Sequence, residues 1–237
     1  MTRLSVNINK IALIRNARGG NNPDILKIAQ DCERFGAQGI TVHPRPDQRH
    51  IRYRDILDLK QVVKTELNVE GYPDEKFIEL IRLAKPDQVT LVPDPPNALT
   101  SNTGWDTIKQ KGFLTEIISE LKEIGCRVSV FLNAEPYLVE TAAATGADRI
   151  ELYTEPYAAY YLQAKQDYIK PYIETAIVAN KSGLGINAGH DLNLDNLHYF
   201  SHHVPHLHEV SIGHALVCDA LYYGLENTIQ MYLRQLK

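Results

Sequence analysis

Residues that can transfer protons or bind anions follow a short apolar run near residue 40. In GITVHPRPDQRHIR, residues 39–52, His43, Arg45 and His50 come just after Ile-Thr-Val. Histidine titrates at a pKa of about 6.5, so it can donate or accept a proton near neutral pH. Arginine offers a two-pronged donor that matches a phosphate group. The stretch therefore predicts proton transfer beside a bound anion, while Arg49, Arg52 and Arg54 are expected to be solvated or ion-paired.

Ionisable residues also end several other apolar runs. Glu70 ends LNVE, Glu151 lies in RIEL, and His190 closes GINAGH. Any one of them, taken alone, is more often a structural residue than a catalytic one. Their recurrence at the end of a strand-like run favours a shared site, because burying such groups is costly unless they are paired or used.

A second anion site is expected where SIGH, residues 211–214, opens a helix. Free backbone N–H groups and the helix dipole attract phosphate at such a position. Arg15 and Arg18, which follow the first apolar run, add positive charge nearby or across the mouth of the site. Two anion sites predict two phosphorylated ligands or one bisphosphate.

Alternating strand-like and helical segments must position these residues. The strand-like runs cover residues 3–8, 39–43, 67–70, 88–92, 127–132, 149–152, 185–187 and 209–212. Helical patterns cover residues 23–35, 53–65, 74–84, 113–124, 136–145, a segment ending near residue 182, and 215–236. Such alternation implies parallel pairing, and eight units in 237 residues match one TIM (β/α)8 barrel, with its site at the C-terminal strand ends.

We therefore predict an α/β fold in which residues 1–237 form one TIM-barrel domain. An open doubly wound sheet is the alternative, but it usually has fewer strands, and the Gly-x-Gly-x-x-Gly fingerprint is absent.

Composition argues against several other classes of protein. The formal net charge of −4 disfavours non-specific nucleic-acid binding. No run reaches the roughly 18 apolar residues of a membrane span, and the N-terminus lacks the apolar core of a signal peptide. Cys32, Cys126 and Cys218 are scattered, which is typical of a reducing compartment, so a cytoplasmic location is expected.

Two further segments stand out. The histidine-rich stretch 198–214 is not expected to bind a metal, because His202 and His203 diverge and no acidic or cysteine set completes a shell. His206 and His208 are expected at the N-terminal face of the last strand. The long polar loop 93–111, which holds the only tryptophan, Trp105, is either a lid over the site or a passive surface loop.

Taken together, the motifs resemble the pyridoxine 5′-phosphate synthase family. The resemblance is carried by VNINKIALIRNARGG, GITVHPRPDQRHI, LNVEG, QVTLVPD, GINAGHDL and EVSIGHAL, from residue 4 to about 225. It implies a TIM barrel with additional helices, assembled as a homo-octamer of dimers, with no metal or organic cofactor. It also implies that 3-amino-2-oxopropyl phosphate and 1-deoxy-D-xylulose 5-phosphate condense to pyridoxine 5′-phosphate, phosphate and water.

The resemblance also implies roles for individual residues. His43 and Glu70 would be general bases, His190 a general acid, and Glu151 a stabiliser of a transition state. The deoxyxylulose phosphate would be bound by Arg45, His50 and Thr100. The aminoketone phosphate would be bound by Asn7, Arg18, Gly213 and His214.

Three positions depart from the pattern of many family members. Asn9 and Lys10 stand where Asp-His is common, and Asp191 stands where a glycine often follows the histidine of NAGH. Asn9 can hydrogen-bond a hydroxyl but cannot act as a base, and Lys10 can supply a cation. Asp191 would repel a phosphate unless its side chain turns away, so only a main-chain contact is expected from it.

Two other functions compete with the synthase. Another phosphate-binding barrel enzyme, such as a thiazole- or indole-forming one, typically depends on a lysine at a strand end, and only Lys10 qualifies. A non-catalytic barrel is the other alternative, but binding alone has no need of His43, Glu70 and His190.

Overall fold

Eight parallel strands form the centre of the computed structural model, which describes residues 1–94 and 102–237. Each strand pairs with the next, and the last pairs with the first, so the sheet is a closed barrel. This confirms the predicted TIM barrel. The strands are β1 (Arg3–Asn7), β2 (Gly39–Val42), β3 (Leu67–Gly71), β4 (Gln88–Leu91), β5 (Arg127–Leu132), β6 (Arg149–Tyr153), β7 (Gly185–Gly189) and β8 (Leu207–Ile212).

Helices surround the barrel and cover its outer face. In α2, for example, Ile25, Ala29 and Cys32 recur at helical spacing and are buried, while Asp24 caps the N-terminus. The helices of the described chain are α1 (Asn9–Asn16), α2 (Ile25–Arg34), α3 (Tyr53–Val62), α4 (Glu75–Ala84), α5 (Lys111–Ile124), α6 (Val139–Ala144), α7 (Glu155–Tyr168), α8 (Lys170–Lys181), α9 (Leu197–His203), α10 (His214–Tyr223) and α11 (Leu225–Gln235).

Several predicted helix boundaries were wrong. The helix expected over 215–236 is divided at Gly224, whose φ of 74° lies in the left-handed region that a continuous helix cannot include. The segment expected to end near residue 182 is two helices, α7 and α8, and Ala164 has non-helical dihedral angles inside α7. The expected additional helices are present, since α1 and α9 lie beyond the segments predicted from the sequence.

The interior of the barrel is unusually polar. A TIM barrel is commonly filled by branched apolar side chains, but here Ser5 and Thr41 share a hydrogen bond of 2.7 Å, and Thr90 donates to Asn68 at 3.1 Å. At the N-terminal end of the strands, buried acids meet arginines in an ion-pair network of Glu66, Glu209, Arg3, Arg127 and Arg149. Burial and the nearby Glu66 raise the pKa of Glu209 to about 7, against the opposing effect of the arginines.

His208 was predicted to lie at the N-terminal face of the last strand. His208 lies in β8 near its N-terminal end, and its Nδ1 accepts a hydrogen bond from the Ile186 amide, so its predicted position is confirmed.

Within residues 1–94 and 102–237, no group of three or more His, Cys, Asp or Glu residues is arranged to hold a metal ion. No helix in the same residues is long and apolar enough to cross a membrane.

The loop that carries Trp105 is anchored rather than loose at this residue. Trp105 is 1% exposed, donates from Nε1 to the Leu91 carbonyl at 2.9 Å, and packs against the rings of Tyr72 and Phe113. A closing movement of this loop therefore does not involve Trp105 itself. Residues 95–101 lie outside the described residues, so lid closure remains a prediction.

Candidate active site

A cavity of about 470 Å³ opens at the C-terminal ends of the strands. Its size is that of a pocket for a small molecule. Among the described residues, every one predicted for the site lines it except Arg18; these lining residues are Asn7, Asn9, Lys10, His43, Arg45, His50, Glu70, Glu151, His190, Asp191, Gly213 and His214. The barrel thus gathers residues from all parts of the chain, because parallel strands all end on the same side.

His43 follows β2 directly and is almost fully buried. Its backbone N–H donates to Oδ1 of Asn9 at 2.9 Å, and the Asn9 N–H donates to Oδ1 of Asn7 at 3.1 Å. Asn9, one of the departures from the family pattern, therefore ties the start of α1 to the residue that follows β2. The side-chain oxygen of Asn9 thus accepts a hydrogen bond from the backbone of the protein itself.

Electrostatics keep the His43 imidazole neutral. Burial lowers its pKa well below the ordinary value, and the positive charges of Arg45 and other cations nearby lower it further. Nδ1 lies 3.8 Å from Oε2 of Glu70, which is beyond hydrogen-bond length but close enough for a small movement to join them. A neutral imidazole can accept a proton, as a general base must.

Two buried carboxyl groups accompany His43. Burial raises the pKa of Glu70 well above its usual value, and the charges of Glu151 and Asp94 act in the same direction. Glu151, on β6, is 3% exposed, and burial together with Glu209 raises its pKa to about 7, partly opposed by a hydrogen bond from Thr90. Glu151 can therefore exchange a proton near neutral pH, and Glu70 favours its protonated form more than an ordinary glutamate does.

Arg45 is paired with a residue that the sequence interpretation did not single out. Its Nη2 lies 2.7 Å from Oδ2 of Asp94, and both side chains are about 95% buried. Asp94 follows β4 at the same rim of the barrel, so its position after a predicted strand was the signal that could have identified it. A phosphate bound by Arg45 would have to share the guanidinium with this carboxylate.

His50 presents a fixed tautomer. Its Nδ1 accepts from the Ile51 amide at 3.0 Å, so in the neutral ring the proton is on Nε2. Burial, followed by the nearby Arg45, lowers the pKa of His50 to about 4, which keeps the ring neutral. His50 is therefore suited to donate one hydrogen bond rather than a full charge.

A buried ion pair holds the loop that carries His50. Arg15, in α1, makes two bonds of 2.8 Å to the Asp55 carboxylate and a third of 3.1 Å to the His50 carbonyl. Asn16 also donates to the His50 carbonyl, at 2.7 Å. Arg15 is 1% exposed and has a structural position, so the expectation that it belongs to an anion site was wrong.

The opposite part of the rim is built from β1, β8 and α10. Gly213 precedes the first residue of α10, and a side-chain carbon there would come within 3.1 Å of the Asn7 Cβ, so a larger residue would require Asn7 to shift. The α10 N-terminus and the exposed side chains of Lys10 and His214 line the same part of the cavity. This part of the rim suits a second anion.

Two predicted residues remain. Arg18 follows α1, is exposed, and does not line the cavity. Thr100 lies outside the described residues.

His190 and Asp191 follow β7 and contact one another. Nδ1 of His190 lies 3.1 Å from Oδ2 of Asp191, and the edge of the Tyr153 ring lies against the imidazole with centroids 5.0 Å apart. The carboxylate of Asp191, which was expected to turn away from the site, turns toward this histidine.

Comparison with known proteins identifies the family. The family model described as "Pyridoxal phosphate biosynthesis protein PdxJ" matches residues 4–237. A pyridoxine 5′-phosphate synthase of Cytophaga hutchinsonii is 68% identical over 237 residues, covering all of both chains. The synthase of Parabacteroides distasonis is 59% identical over 98% of each chain. The synthase of Porphyromonas gingivalis is 58% identical over 100% of this chain and 99% of the relative.

Solved structures support the fold alone. A 3-keto-L-gulonate-6-phosphate decarboxylase from Vibrio cholerae aligns with a TM-score of 0.67 at 9% identity, over 99% of this chain and 97% of the other. A phosphoribosyl anthranilate isomerase from Thermotoga maritima aligns with a TM-score of 0.62 at 13% identity, over 100% and 98%. The family model and the close relatives, by contrast, confirm the resemblance seen in the motifs: this chain is an enzyme of the family of the pyridoxal phosphate biosynthesis protein PdxJ.

Proposed function

We propose that this enzyme condenses 3-amino-2-oxopropyl phosphate with 1-deoxy-D-xylulose 5-phosphate to form pyridoxine 5′-phosphate, inorganic phosphate and water. The observation that carries the proposal is one cavity lined by a buried neutral histidine, two carboxyl groups with raised pKa values, and cationic groups on two parts of the rim. The names of the close relatives support the same product.

The chemistry requires proton transfers in both directions. Imine formation, dehydration and an aldol-type ring closure each remove a proton from one atom and deliver one to another. His43 accepts protons in its neutral form. Glu70, with its raised pKa, holds a proton more readily than an ordinary glutamate, so it can return a proton as well as take one.

Glu151 and His190 complete the set of proton-transfer groups. Glu151, whose pKa is about 7, can be a negatively charged carboxylate when positive charge develops on an iminium nitrogen, and so stabilise that transition state. His190 serves as the general acid for a leaving hydroxyl or phosphate. The family resemblance implies these roles, the positions of both residues at the cavity support them, and each can be tested by substitution.

Two phosphate groups need two binding places. We assign the deoxyxylulose phosphate to Arg45 and the Nε2–H of His50, together with Thr100. We assign the aminoketone phosphate to the N-terminus of α10, with Gly213, His214, Asn7 and Lys10 around it and Arg18 as a further cation. Asp191 contributes its main chain at this second place.

Three features of the whole protein belong to the proposal. Residues 1–237 form one domain, which a single closed barrel and its shared apolar core support. The chain forms a homo-oligomer, an octamer built of dimers, supported by exposed apolar side chains on α1 and α10. The enzyme is cytoplasmic, which accords with three cysteines that form no disulfide.

A direct assay tests the proposed reaction. Purified protein is incubated with both substrates, and the absorbance of a pyridinol ring and the release of phosphate are followed together. We expect the product only when both substrates are present, and its mass should equal that of pyridoxine 5′-phosphate. Absence of a pyridine product with authentic substrates would contradict the proposal.

A further inference from the structure

The turn that carries His190 has an unusual backbone. His190 has a φ of 92° and Asp191 a φ of 59°, so two successive non-glycine residues lie in the left-handed region. Such a conformation is strained for L-residues and persists only where the surrounding structure fixes it. Two left-handed residues at the rim of a cavity therefore indicate that the direction of their side chains matters.

Hydrogen bonds from both sides fix this turn. The Thr154 hydroxyl, fully buried at the end of β6, lies 2.7 Å from the Gly189 carbonyl and also within hydrogen-bond distance of the His190 carbonyl. From the other side, Nδ2 of Asn196 donates to the Asp191 carbonyl at 3.2 Å. The backbone at 189–191 is thus held independently of any side-chain contact made by Asp191.

The result is a close pair of side chains. The hydrogen bond with His190 lowers the pKa of the Asp191 carboxyl, against an opposing effect of partial burial, and the nearby His190, His214 and Lys10 lower it further. Asp191 is therefore an ionised acceptor next to Nδ1 of His190, at 3.1 Å. In catalytic sites an aspartate in this relation to a histidine holds one tautomer and stabilises the charged ring.

We propose that Asp191 is a positioning residue for His190. Its carboxylate accepts the Nδ1–H of the imidazole, so the ring is held in one orientation and Nε2 is the nitrogen that exchanges a proton with the substrate. The proposal rests on the proposed function, because it assumes that His190 transfers a proton there. It gives the Asp191 side chain a role of its own, separate from the main-chain contact predicted for this residue.

The position allows a substitution that does not disturb the backbone. Asp191→Gly removes the carboxylate, and glycine adopts a φ of 59° without strain. Asp191→Asn keeps a residue that tolerates the left-handed region but removes the charge. Asp195→Asn is the matched control, because Asp195 is an exposed aspartate in the following turn, where its backbone N–H donates to Asn193.

The first measurement is the ¹⁵N NMR spectrum of histidine-labelled protein. The signals of His190 are identified as those absent from the spectrum of His190→Gln. We expect the proton of the neutral ring on Nδ1 in the parent protein, and a shift toward Nε2–H, the tautomer preferred in water, in Asp191→Gly. Asp195→Asn should give the parent spectrum. An unchanged His190 tautomer in Asp191→Gly would overturn the proposal, whether or not the protein proves to be a synthase.

The second measurement is steady-state kinetics with both substrates. Proton transfer by a positioned side chain contributes about 10²–10⁴-fold, so loss of alignment alone should lower kcat about ten- to a hundredfold in Asp191→Gly and Asp191→Asn. KM for each substrate should change less than about threefold, since the main-chain contacts remain. A raised KM with unchanged kcat would mean that Asp191 acts on the substrate, which also overturns the proposal.

Discussion

At the scale of single residues, the cavity combines two carboxyl groups that favour their protonated form with a histidine that favours its neutral form. Burial raises the pKa values of Glu70 and Glu151 and lowers that of His43, because a poorly solvated site disfavours the charged form of either kind of group. The cavity therefore offers a protonated carboxyl group, a neutral imidazole and, in Glu151 with its pKa of about 7, a group that gives or takes a proton near neutral pH. That is the property a condensation with several proton transfers requires.

The raised pKa of Glu151 predicts how stability depends on pH. Because the folded state holds this proton more tightly than the unfolded state, its stabilising effect is complete below about pH 4.5 and is lost as the pH rises through about 7. Glu151→Gln mimics the protonated acid and avoids that loss. We expect the free energy of unfolding of the variant, relative to the parent, to rise by about 3 kcal/mol between pH 4.5 and 8.

Urea unfolding at several pH values measures this difference. Glu226→Gln, at an exposed position on α11, is the control and should differ from the parent by the same small amount at every pH. If Glu151→Gln also showed a difference independent of pH, Glu151 would not titrate as described.

The residues that the sequence could identify were those in or just after strands. His43 and His190 follow apolar runs, Glu70 ends one and Glu151 lies within one, and a barrel brings such positions together. Pairing partners could not be found in this way. Asp94 meets Arg45 from 49 residues away and Asp55 meets Arg15 from 40. The place of Asp94 after a predicted strand could have put it at the rim, but the local sequence does not indicate which residues pair.

At the scale of elements, α1 and the loop after β2 form one unit of the site wall. Arg15 joins them by two bonds to Asp55 and one to the His50 carbonyl, and Asn9 joins α1 to His43. The helix was missed in the sequence because its eight residues, NKIALIRN, have only a short apolar stripe after a strand of similar composition. Its role as a support could be recognised only from these long-range contacts.

Breaking this support should be costly. Arg15→Met leaves the largely buried Asp55 carboxylate without its guanidinium, and removing one partner of a buried pair typically costs about 3–5 kcal/mol. Lys27→Met removes one partner of the exposed pair with Asp31, which should cost less than about 1 kcal/mol. Urea denaturation compares the two variants, and equal losses would contradict the role given to Arg15.

The remaining errors at this scale have local causes. The strands were predictable because each is a short apolar run bounded by turn residues. The two breaks in the helical pattern were not, because Gly224 is only one residue in an otherwise helical stretch and Ala164 is a strong helix former with non-helical dihedral angles. Tertiary packing decides such breaks, and the sequence pattern does not show it.

At the scale of the whole molecule, one surface has the character of a subunit interface. It is made by the exposed apolar residues of α1 and α10, namely Leu13, Ile14, Leu221, Tyr222 and Tyr223. The two helices are neighbours, and both begin at the cavity, so a second copy bound there would lie close to the site. Exposed apolar patches of this kind commonly mark protein interfaces.

A charge in this surface should weaken assembly. Tyr222→Glu puts a carboxylate at a residue that is 86% exposed, and we expect sedimentation analysis to show a smaller assembly than the parent forms. Leu162→Glu is the control, since Leu162 is equally exposed but lies on α7. A parent protein that is monomeric, or a Tyr222→Glu variant of unchanged size, would refute the interface.

The most direct test of the central claim measures pyridine formation and phosphate release in the parent protein and in His43→Ala, with His203→Ala as a surface control. His203 is exposed on α9 and does not line the cavity. We predict one phosphate per pyridine ring in the parent and in His203→Ala. We predict a fall in kcat of about a hundredfold or more in His43→Ala, with its circular dichroism and thermal unfolding unchanged. Near-normal turnover by His43→Ala would show that the buried histidine at this cavity does not perform the chemistry assigned to it.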